Sequence, residues 1–406
     1  MNINVIGGTY FEECFEPRWR EIYGSGLRGA LTINNLDSSV DIDFYTFGDT
    51  EITEHLNYLK FIFKKIKSHP FHISESITFK YDHPLSEPLI YPRLDTINKQ
   101  NNQLFVEKDN IVLYGTIEGH VTVKGNKVVY DPQSPVNPSS FKDMGNKADR
   151  LVIITNMSEA KAYTKKQDLL DIKNFFFTHE SAEAIIIKDG PRGAYVFTDK
   201  GLETVVPAYK TSNVWSIGSG DVFTAAFAYH WIVKLNSIEE AAFKASYNTA
   251  QYCSSKELNF REKANNINIK EIKFKETNDL KIYLAGPFFT FPQRWLIQQF
   301  REALLSMGGN VFSPMHDVGY GLPEYVVPLD IEAINTSNLM VAIVDGLDSG
   351  TLFEIGYARA KNIPVVAYVQ NETPEALTML QGTNCIIFSD FTTSIYNAIW
   401  QLISND

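Results

Sequence analysis

Residues 340–358 read MVAIVDGLDSGTLFEIGYA, and this stretch decides the fold of the C-terminal third of the chain. The apolar run 339–344 predicts a strand that is buried on both faces. The polar turn 345–350 ends the strand, and the residues after it predict a helix. Because strand, helix and strand alternate in this way along the region, we expect a parallel sheet with ligands at the carboxyl ends of its strands.

Four further apolar runs extend this pattern, and they predict strands at 281–285, 310–312, 364–368 and 385–388. Between the first two, apolar residues recur at helical spacing from Trp295 to Met307, and the glycines 308–309 supply a stop. We therefore expect residues 280–406 to form a small doubly wound parallel-sheet domain of the flavodoxin-like type, with an α/β fold.

The first 262 residues alternate short apolar runs with helical stretches in the same way, as at 151–155, 184–187 and 194–197. They predict a larger α/β domain around a buried sheet. A chain of 406 residues also exceeds what one hydrophobic core usually accommodates. The charged and amide-rich residues 263–279 lack a sustained apolar face, so we expect a linker there.

The composition of the chain limits the classes of molecule that it could bind. The formal net charge of -11 disfavours binding to a nucleic-acid polymer, which needs clustered Lys and Arg, so a small ligand is the better expectation. The chain has no leader pattern and no apolar run of roughly eighteen residues, which predicts a cytoplasmic protein outside the membrane. Cys14, Cys253 and Cys385 have no paired spacing, so neither a disulfide framework nor a zinc site is expected.

Glu354 is the first candidate for chemistry. It follows the strand 339–344 and its turn, which predicts a place in the first turn of the next helix, at the carboxyl edge of the sheet. The helix dipole would keep a carboxylate ionised there, which suits a nucleophile. The simpler alternative is that Glu354 only caps its helix.

The C-terminal region resembles the nucleoside 2-deoxyribosyltransferase family over nearly all of residues 280–406. The resemblance is carried by three ordered stretches, 281–289, 330–338 and 348–358, although Asn338 stands where relatives often carry an acidic residue. It implies that Glu354 attacks the anomeric carbon of the sugar and that Tyr283 orients it. Asp330 would bind the sugar hydroxyls, and Asp348 would protonate or hold the base. The other substrate-binding residues that it implies are Gly286, Phe288 and Gly350.

The chemistry of an N-glycosidic bond agrees with these roles. Departure of the base leaves an oxocarbenium-like centre, so one carboxylate must trap it while a second acid assists the leaving nitrogen. Attack by a second base would give transfer, and attack by water would give hydrolysis; both stay open. The resemblance implies no cofactor for this domain, and it implies a homo-oligomer.

A second candidate site lies at residues 215–223, WSIGSGDVF, where a glycine-rich turn precedes an apolar helix. The backbone N–H groups of Gly218, Ser219 and Gly220 would form an anion hole for phosphate. Asp221 would accept the proton of a hydroxyl that attacks a terminal phosphate. This motif is short, and many helix starts look like it.

The N-terminal region resembles the carbohydrate kinase family that includes ribokinase and adenosine kinase, a likeness that implies a ribokinase-like fold, ATP and Mg²⁺. Asn156 and Glu159 match an Asn-x-x-Glu motif that organises magnesium and phosphate, which would place Mg²⁺ near Glu159. The likeness also implies nucleotide binding by Gly190 and Gly193, and binding of sugar hydroxyls by Glu12, Gly24 and Gly26.

Three positions depart from that family. Trp215 stands where the signature usually has Asp, Arg28 where relatives often place Asn, and Glu12 replaces a shorter Asp. These departures leave open an inactive or ligand-sensing kinase fold.

Together the two halves predict a bifunctional enzyme for small nucleoside, nucleotide or sugar substrates, with glycosidic cleavage or transfer at Glu354 and ATP-dependent phosphorylation at Asp221. One alternative is a nucleotide N-glycosidase, with Arg294 as a phosphate contact, beside an inactive kinase fold. The other is a nucleotide sensor without turnover.

Overall fold

The structure is a computed structural model that describes residues 1–97, 99, 102–134, 138–260, 269–274 and 281–404. The chain divides into two compact units. The N-terminal unit comprises Met1–Thr211 and Trp215–Lys270, and the C-terminal unit comprises Ser212–Val214 and Glu271–Asp406. Apart from 269–274, the predicted linker 263–279 lies outside the described residues.

The N-terminal unit contains short strands and six helices within its described residues. The strands are β1 (Asn2–Ile6), β2 (Phe11–Cys14), β3 (Trp19–Ile22), β4 (Asp41–Gly48), β5 (Ile66–His72), β6 (Thr78–Tyr81), β7 (Leu89–Tyr91), β8 (Gln103–Glu107), β9 (Asn110–Tyr114), β10 (His120–Asp131), β11 (Lys147–Asn156), β12 (Ala184–Lys188), β13 (Ala194–Thr198), β14 (Glu203–Val206) and β15 (Tyr209–Lys210), followed by β16 (Lys270–Glu271). The helices are α1 (Gly24–Leu36), α2 (Thr50–Ile62), α3 (Met157–Thr164), α4 (Leu169–Thr178), α5 (Ser219–Ala228) and α6 (Ile238–Ser255).

A ten-stranded sheet forms the centre of this unit, in the order β14-β13-β12-β11-β10-β9-β1-β4-β5, with β8 also paired to β10. Its strands are parallel except at β13 and β14. Helices α1, α2, α5 and α6 pack on one face, and α3 and α4 pack on the other. Both faces of the sheet are covered, and the apolar runs expected at 151–155, 184–187 and 194–197 lie in β11, β12 and β13.

A smaller sheet of four strands, in the order β3-β2-β6-β7, completes the N-terminal unit. Strand β2 pairs antiparallel with β3 and parallel with β6. This sheet carries Glu12 and leads directly into α1, so it brings β2 and α1 side by side.

The C-terminal unit alternates strands and helices from β17 onward. Its elements are β17 (Lys281–Ala285), α7 (Phe291–Ser306), β18 (Asn310–Phe312), α8 (Pro323–Thr336), β19 (Leu339–Ile343), α9 (Ser349–Ala360), β20 (Val365–Tyr368), α10 (Thr378–Gly382), β21 (Ile386–Phe388) and α11 (Phe391–Ile403). The strand order is β18-β17-β19-β20-β21 and every pairing is parallel. This is the flavodoxin-like order 2-1-3-4-5, so the predicted fold class is confirmed.

Helices cover both faces of this smaller sheet. The face that carries Ala285, Met340 and Ala342 packs on α8, α9 and α10. On the other face, the ring of Phe300 in α7 meets the rings of Tyr368 and Phe391 edge-on. The expected strands agree with the observed ones to within one residue at each end, because each is an apolar run closed by polar residues or glycine.

Among the described residues, no helix combines the length and the apolar character that are needed to cross a bilayer.

Candidate active site

Helix α9 places Glu354 at the carboxyl edge of the small sheet. Asp348 is the N-cap residue: its Oδ2 accepts hydrogen bonds from Thr351 N at 2.8 Å and from Thr351 Oγ1 at 2.9 Å. Ser349 and Gly350 are therefore already helical, and Glu354 lies in the second turn. The expectation of a first-turn position was wrong because the turn is shorter than its polar composition suggested, and capping falls to Asp348 rather than to Glu354.

Tyr283 fixes the Glu354 carboxylate. Its Oη donates a hydrogen bond of 2.7 Å to Glu354 Oε1. The tyrosine lies in β17, is fully buried, and stacks on Phe312 with ring centroids 5.7 Å apart. A rigid strand and a packed ring thus hold the phenol, so Glu354 has a defined orientation.

Burial raises the pKa of Glu354 to about 7. The hydrogen bond from Tyr283 acts in the opposite direction and lowers this pKa, while the negative charges of Asp330 and Asp348 raise it further. The expectation that the helix dipole keeps Glu354 fully ionised was therefore wrong, because removal from water outweighs it. Near neutral pH this carboxyl group is present in both protonation states.

Asp330 is the third carboxylate of the group. It lies on α8, and burial raises its pKa. Its Oδ1 is shielded from solvent and accepts no hydrogen bond from the described residues. A shielded acceptor without a donor can take a hydroxyl group, which is the chemistry that sugar binding requires.

The remaining predicted substrate residues lie around the same edge. Gly286 directly follows β17, and Gly350 lies in the first turn of α9. The ring of Phe288 lies beside Phe289 and Tyr320, with centroids 5.6 and 5.5 Å away, and Tyr320 Oη donates to the Phe288 carbonyl at 3.2 Å. These rings form an aromatic surface next to the strand that carries Tyr283.

The loops at this edge are acidic. Those that follow β17, β18, β19 and β20 contain no Lys or Arg, and their carboxylates are Asp317, Asp345, Asp348, Glu372 and Glu375. Arg301 of α7 is already paired with Asp317 at 3.9 Å, and the predicted phosphate contact, Arg294, is exposed in the first turn of α7. The charges that act on Glu354 itself, those of Asp330 and Asp348, are also negative.

The second candidate site, in the N-terminal unit, contains an ion pair. Arg28 Nη1 donates to Asp221 Oδ2 at 2.7 Å, and Gln133 Nε2 donates to Asp221 Oδ1. The guanidinium also bonds both carboxylate oxygens of Glu12, and Gly24 N donates to Glu12 Oε1 at 3.0 Å. The predicted base and the predicted sugar-binding carboxylate thus share one buried arginine.

The glycines of this site approach other parts of the chain closely. A Cβ added to Gly218 would lie 2.2 Å from the Arg28 guanidinium, and one added to Gly26 would lie 2.6 Å from the Gly7 carbonyl oxygen. Gly24 adopts a φ of +67° beside Tyr10. Internal packing therefore accounts for these glycines, whereas the sequence assigned them to ligand contact.

The predicted nucleotide and magnesium residues lie at the carboxyl ends of β11 and β12. Asn156 and Glu159 form a capping box at the start of α3, in which Glu159 Oε2 accepts from Asn156 N and from Thr155 Oγ1, both at 3.0 Å. Gly190 and Gly193 bound the turn between β12 and β13. Ser219 and Gly220 open α5, and Gly220 lies beside the Lys188 ammonium group.

These residues do not form a preformed magnesium site. Asp131 accepts from Lys188 Nζ at 3.0 Å and from Thr224 Oγ1 at 2.7 Å, and Glu159 caps a helix. Within the described ranges, no group of three His, Cys, Asp or Glu side chains could hold a metal ion. The carboxylates next to the expected phosphate position are therefore committed to protein donors.

Several residues that support the two sites were not predicted from the sequence. Phe312 supports Tyr283, Thr351 holds Asp348, and Gln133 and Tyr114 hold the side chain and the carbonyl of Asp221. The Asp-x-x-Thr spacing before α9 was a capping signal that could have placed the helix start. No local signal connects Gln133 or Tyr114 with Asp221.

Two family models match the chain. Residues 282–386 match the model described as nucleoside 2-deoxyribosyltransferase, and residues 120–264 match that of the pfkB family carbohydrate kinases. The second match contains Asp221 but not Glu12, Gly24, Gly26 or Arg28. The chain has no match among curated proteins.

Solved structures similar to the chain include three sugar or nucleoside kinases. A fructokinase from Vibrio cholerae O395 with bound fructose, ADP and calcium has 14% identity and a TM-score of 0.48, over 64% of this chain and 94% of the other. A ribokinase from Thermotoga maritima has 15% identity and a TM-score of 0.45, over 64% and 95%. A nucleoside kinase from Methanocaldococcus jannaschii has 14% identity and a TM-score of 0.45, over 64% and 93%.

The two family matches follow each other along the chain in the order that the sequence motifs predicted. In this chain, a region that matches the PfkB carbohydrate kinase family model is therefore followed by a region that matches the nucleoside 2-deoxyribosyltransferase model.

Proposed function

We propose that the C-terminal unit cleaves the N-glycosidic bond of a nucleoside, with Glu354 as the nucleophile. The observation that carries this proposal is the 2.7 Å hydrogen bond between Tyr283 and Glu354, in a site where Asp330 and Asp348 are close enough to raise the pKa of Glu354. The match of residues 282–386 to the deoxyribosyltransferase model supports the same reaction class.

In the proposed reaction, an oxygen of the ionised Glu354 attacks the anomeric carbon and forms a glycosyl ester. The bond from that carbon to the base nitrogen breaks, its electron pair stays with the base, which takes a proton from solvent, and the Asp348 carboxylate accepts a hydrogen bond from the base. Tyr283 keeps the carboxylate in line, and Asp330 accepts hydrogen bonds from the sugar hydroxyls. Attack by a second base or by water then releases Glu354.

The acidic edge favours a nucleoside over a nucleotide. A phosphate monoester carries close to two negative charges near neutral pH, and it would enter a site whose own carboxylates are Glu354, Asp330 and Asp348, beside loops that contain no Lys or Arg. A neutral nucleoside avoids this repulsion. The nucleotide N-glycosidase alternative would need a basic phosphate contact, and exposed Arg294 is its one candidate from the sequence.

The first experiment measures base release by chromatography from ribonucleosides, deoxyribonucleosides and their 5′-monophosphates, with and without an acceptor base. We expect release from at least one nucleoside and at least tenfold slower release from its monophosphate. Product formed only with an acceptor identifies transfer, and free sugar identifies hydrolysis. Faster release from monophosphates would contradict the argument from the acidic edge.

The matched variants are Glu354→Gln and Glu302→Gln. Glu302 is an exposed residue of α7, so its variant should keep the wild-type rate. Loss of the nucleophile should lower the rate by at least about a thousandfold. Equal rates for the two variants would show that Glu354 is not the nucleophile. Tight nucleotide binding with no product from any substrate would instead favour a sensor.

Phosphorylation of a sugar or nucleoside by the N-terminal unit is a second candidate. It is favoured by the pfkB match over residues 120–264 and by Asp221 in the first turn of α5, where Gly218, Ser219 and Gly220 could bind a phosphate group of ATP. The contacts of Arg28 argue against it.

A further inference from the structure

Arg28 is a buried cation on α1, and its side chain is 1% exposed. Its guanidinium bridges two carboxylates from different elements, Glu12 of β2 and Asp221 of α5. The ring of Tyr23 covers it, with the guanidinium carbon 4.8 Å from the ring centroid. Arg28 therefore links β2, α1 and the start of α5.

Each oxygen of the Asp221 carboxylate accepts a hydrogen bond from a protein donor. Arg28 holds Oδ2, and Gln133 holds Oδ1 from a backbone conformation with a φ of +52°, which non-glycine residues rarely adopt. The main-chain oxygen of Asp221 accepts from Tyr114 Oη at 2.9 Å. A general base needs a carboxylate oxygen that faces the substrate hydroxyl, and here Arg28 takes that place.

The Asp221 side chain is 12% exposed, and other side chains pack close to it and to the neighbouring glycines. The guanidinium lies so close to Gly218 that a Cβ there would come within 2.2 Å of it. The buried Tyr10 ring lies over Gly8, where a Cβ would come within 1.9 Å of the ring, and Tyr10 Oη donates to buried Glu118 at 2.9 Å. A sugar hydroxyl would have to displace Arg28 to take the place that the guanidinium holds at Asp221 Oδ2, and the Glu12 and Asp221 carboxylates would then be buried without a counter-charge.

We infer that Arg28 permanently occupies the phosphoryl-acceptor position of the N-terminal unit, and that Asp221 serves as its structural counter-ion instead of a catalytic base. The unit consequently does not transfer phosphate to a hydroxyl group. The inference is independent of glycosidic cleavage at Glu354.

The test combines phosphate transfer with thermal stability of the full-length protein. Wild-type protein is incubated with Mg²⁺, radiolabelled ATP or pyrophosphate, and a panel of sugars and nucleosides. We expect no labelled acceptor. Phosphorylation of any acceptor that is lost in Asp221→Asn would overturn the inference, whatever the stability data show.

Calorimetry then shows whether Asp221 acts as a structural counter-ion or as a catalytic base. If Asp221 is the counter-ion, Arg28→Met should lower the melting temperature by several degrees because it leaves two buried carboxylates without a counter-charge, and Asp221→Asn should lower it because it removes one of the two ion pairs of Arg28. Replacement of an exposed carboxylate in Asp199→Asn is the control and should leave it unchanged. A melting temperature of Asp221→Asn equal to or above the wild type would contradict the inference, since removal of a catalytic base commonly costs no stability.

A third variant covers the case in which the single variants do not fold. The combination Glu12→Gln, Arg28→Met and Asp221→Asn removes all three charges and should restore soluble, cooperatively melting protein. If the single variants fold poorly and the triple variant does not recover, the charges are not acting as a compensated group and the inference fails.

Discussion

At the scale of the residue, the proposed chemistry rests on the balance of forces on one carboxyl group. Burial raises the pKa of Glu354 to about 7, and the hydrogen bond from Tyr283 opposes this rise. Sequence motifs singled out Glu354, Tyr283, Asp330 and Asp348, and the structure brings these four side chains into one group. The direction of the pKa shift could not be predicted, because it depends on the solvent exclusion produced by β17, α8 and α9 together.

This balance predicts the pH dependence of base release. Only ionised Glu354 can attack, so kcat/KM should rise about tenfold per pH unit below pH 7 and level off above it. Tyr283→Phe removes a bond that lowers the pKa of Glu354. It should therefore slow the reaction roughly 10- to 100-fold and move the acidic limb to higher pH. An unchanged pH profile in Tyr283→Phe would show that the hydrogen bond does not tune Glu354.

The same shift predicts a pH-dependent effect on stability. The pKa of folded Glu354 lies above its ordinary value of 4.5, so the associated stability is complete below pH 4.5 and is lost as pH rises through about 7. Glu354→Gln cannot ionise and avoids this loss. Its melting temperature should exceed that of the wild type at pH 8 but not at pH 4.5. The same difference at both pH values would rule out this linkage.

At the scale of the element, the strands of the C-terminal unit were predicted correctly, whereas the start of α9 was missed although its Asp-x-x-Thr capping signal is local in the sequence. Parallel strands buried on both faces are apolar runs with clear ends, which is why β17 to β21 agree with the sequence. The start of α9 depends on one side chain, since Asp348 bonds Thr351 and draws Ser349 and Gly350 into the helix.

Asp348 therefore has two separable roles, as helix cap and as a charged group near Glu354. Asp348→Ala should lower the free energy of unfolding by about 1 kcal/mol, whereas Asp348→Asn should preserve it because Asn is an equally good cap. Both variants should lower the pKa of Glu354, since each removes a negative charge that raises it, and the acidic limb of the rate profile should move to lower pH. Equal stability of the Ala and Asn variants, from urea titration, would argue against the capping role.

At the scale of the whole molecule, contacts between residues that are distant in sequence could not be predicted. The sequence showed that Arg28 departs from the family pattern, but its partner Asp221 is 193 positions away. Only the packing of β2, α1 and α5 brings the two side chains together. The α/β class of the N-terminal unit could be predicted from the sequence. The occupation of its candidate site by the Arg28 side chain could not.

We expect the contact surface of the expected homo-oligomer to lie on helix α8. Its first half exposes Tyr325, Val327 and Leu329, which are each about half or more accessible to solvent, and the same helix carries Asp330. Exposed apolar side chains grouped in this way are typical of protein contact surfaces. Light scattering should give a mass above that of one chain, and Leu329→Glu should lower it. A monomeric wild type at micromolar concentration would contradict this expectation.

The most direct test of the proposed function is the mass of the protein quenched during turnover of a reactive nucleoside. We predict a fraction of protein that is heavier by one pentosyl group, attached to the peptide that carries Glu354. The sugar attached to a different residue, or its absence from protein that releases base in a measurable burst, would contradict the proposal that Glu354 is the nucleophile.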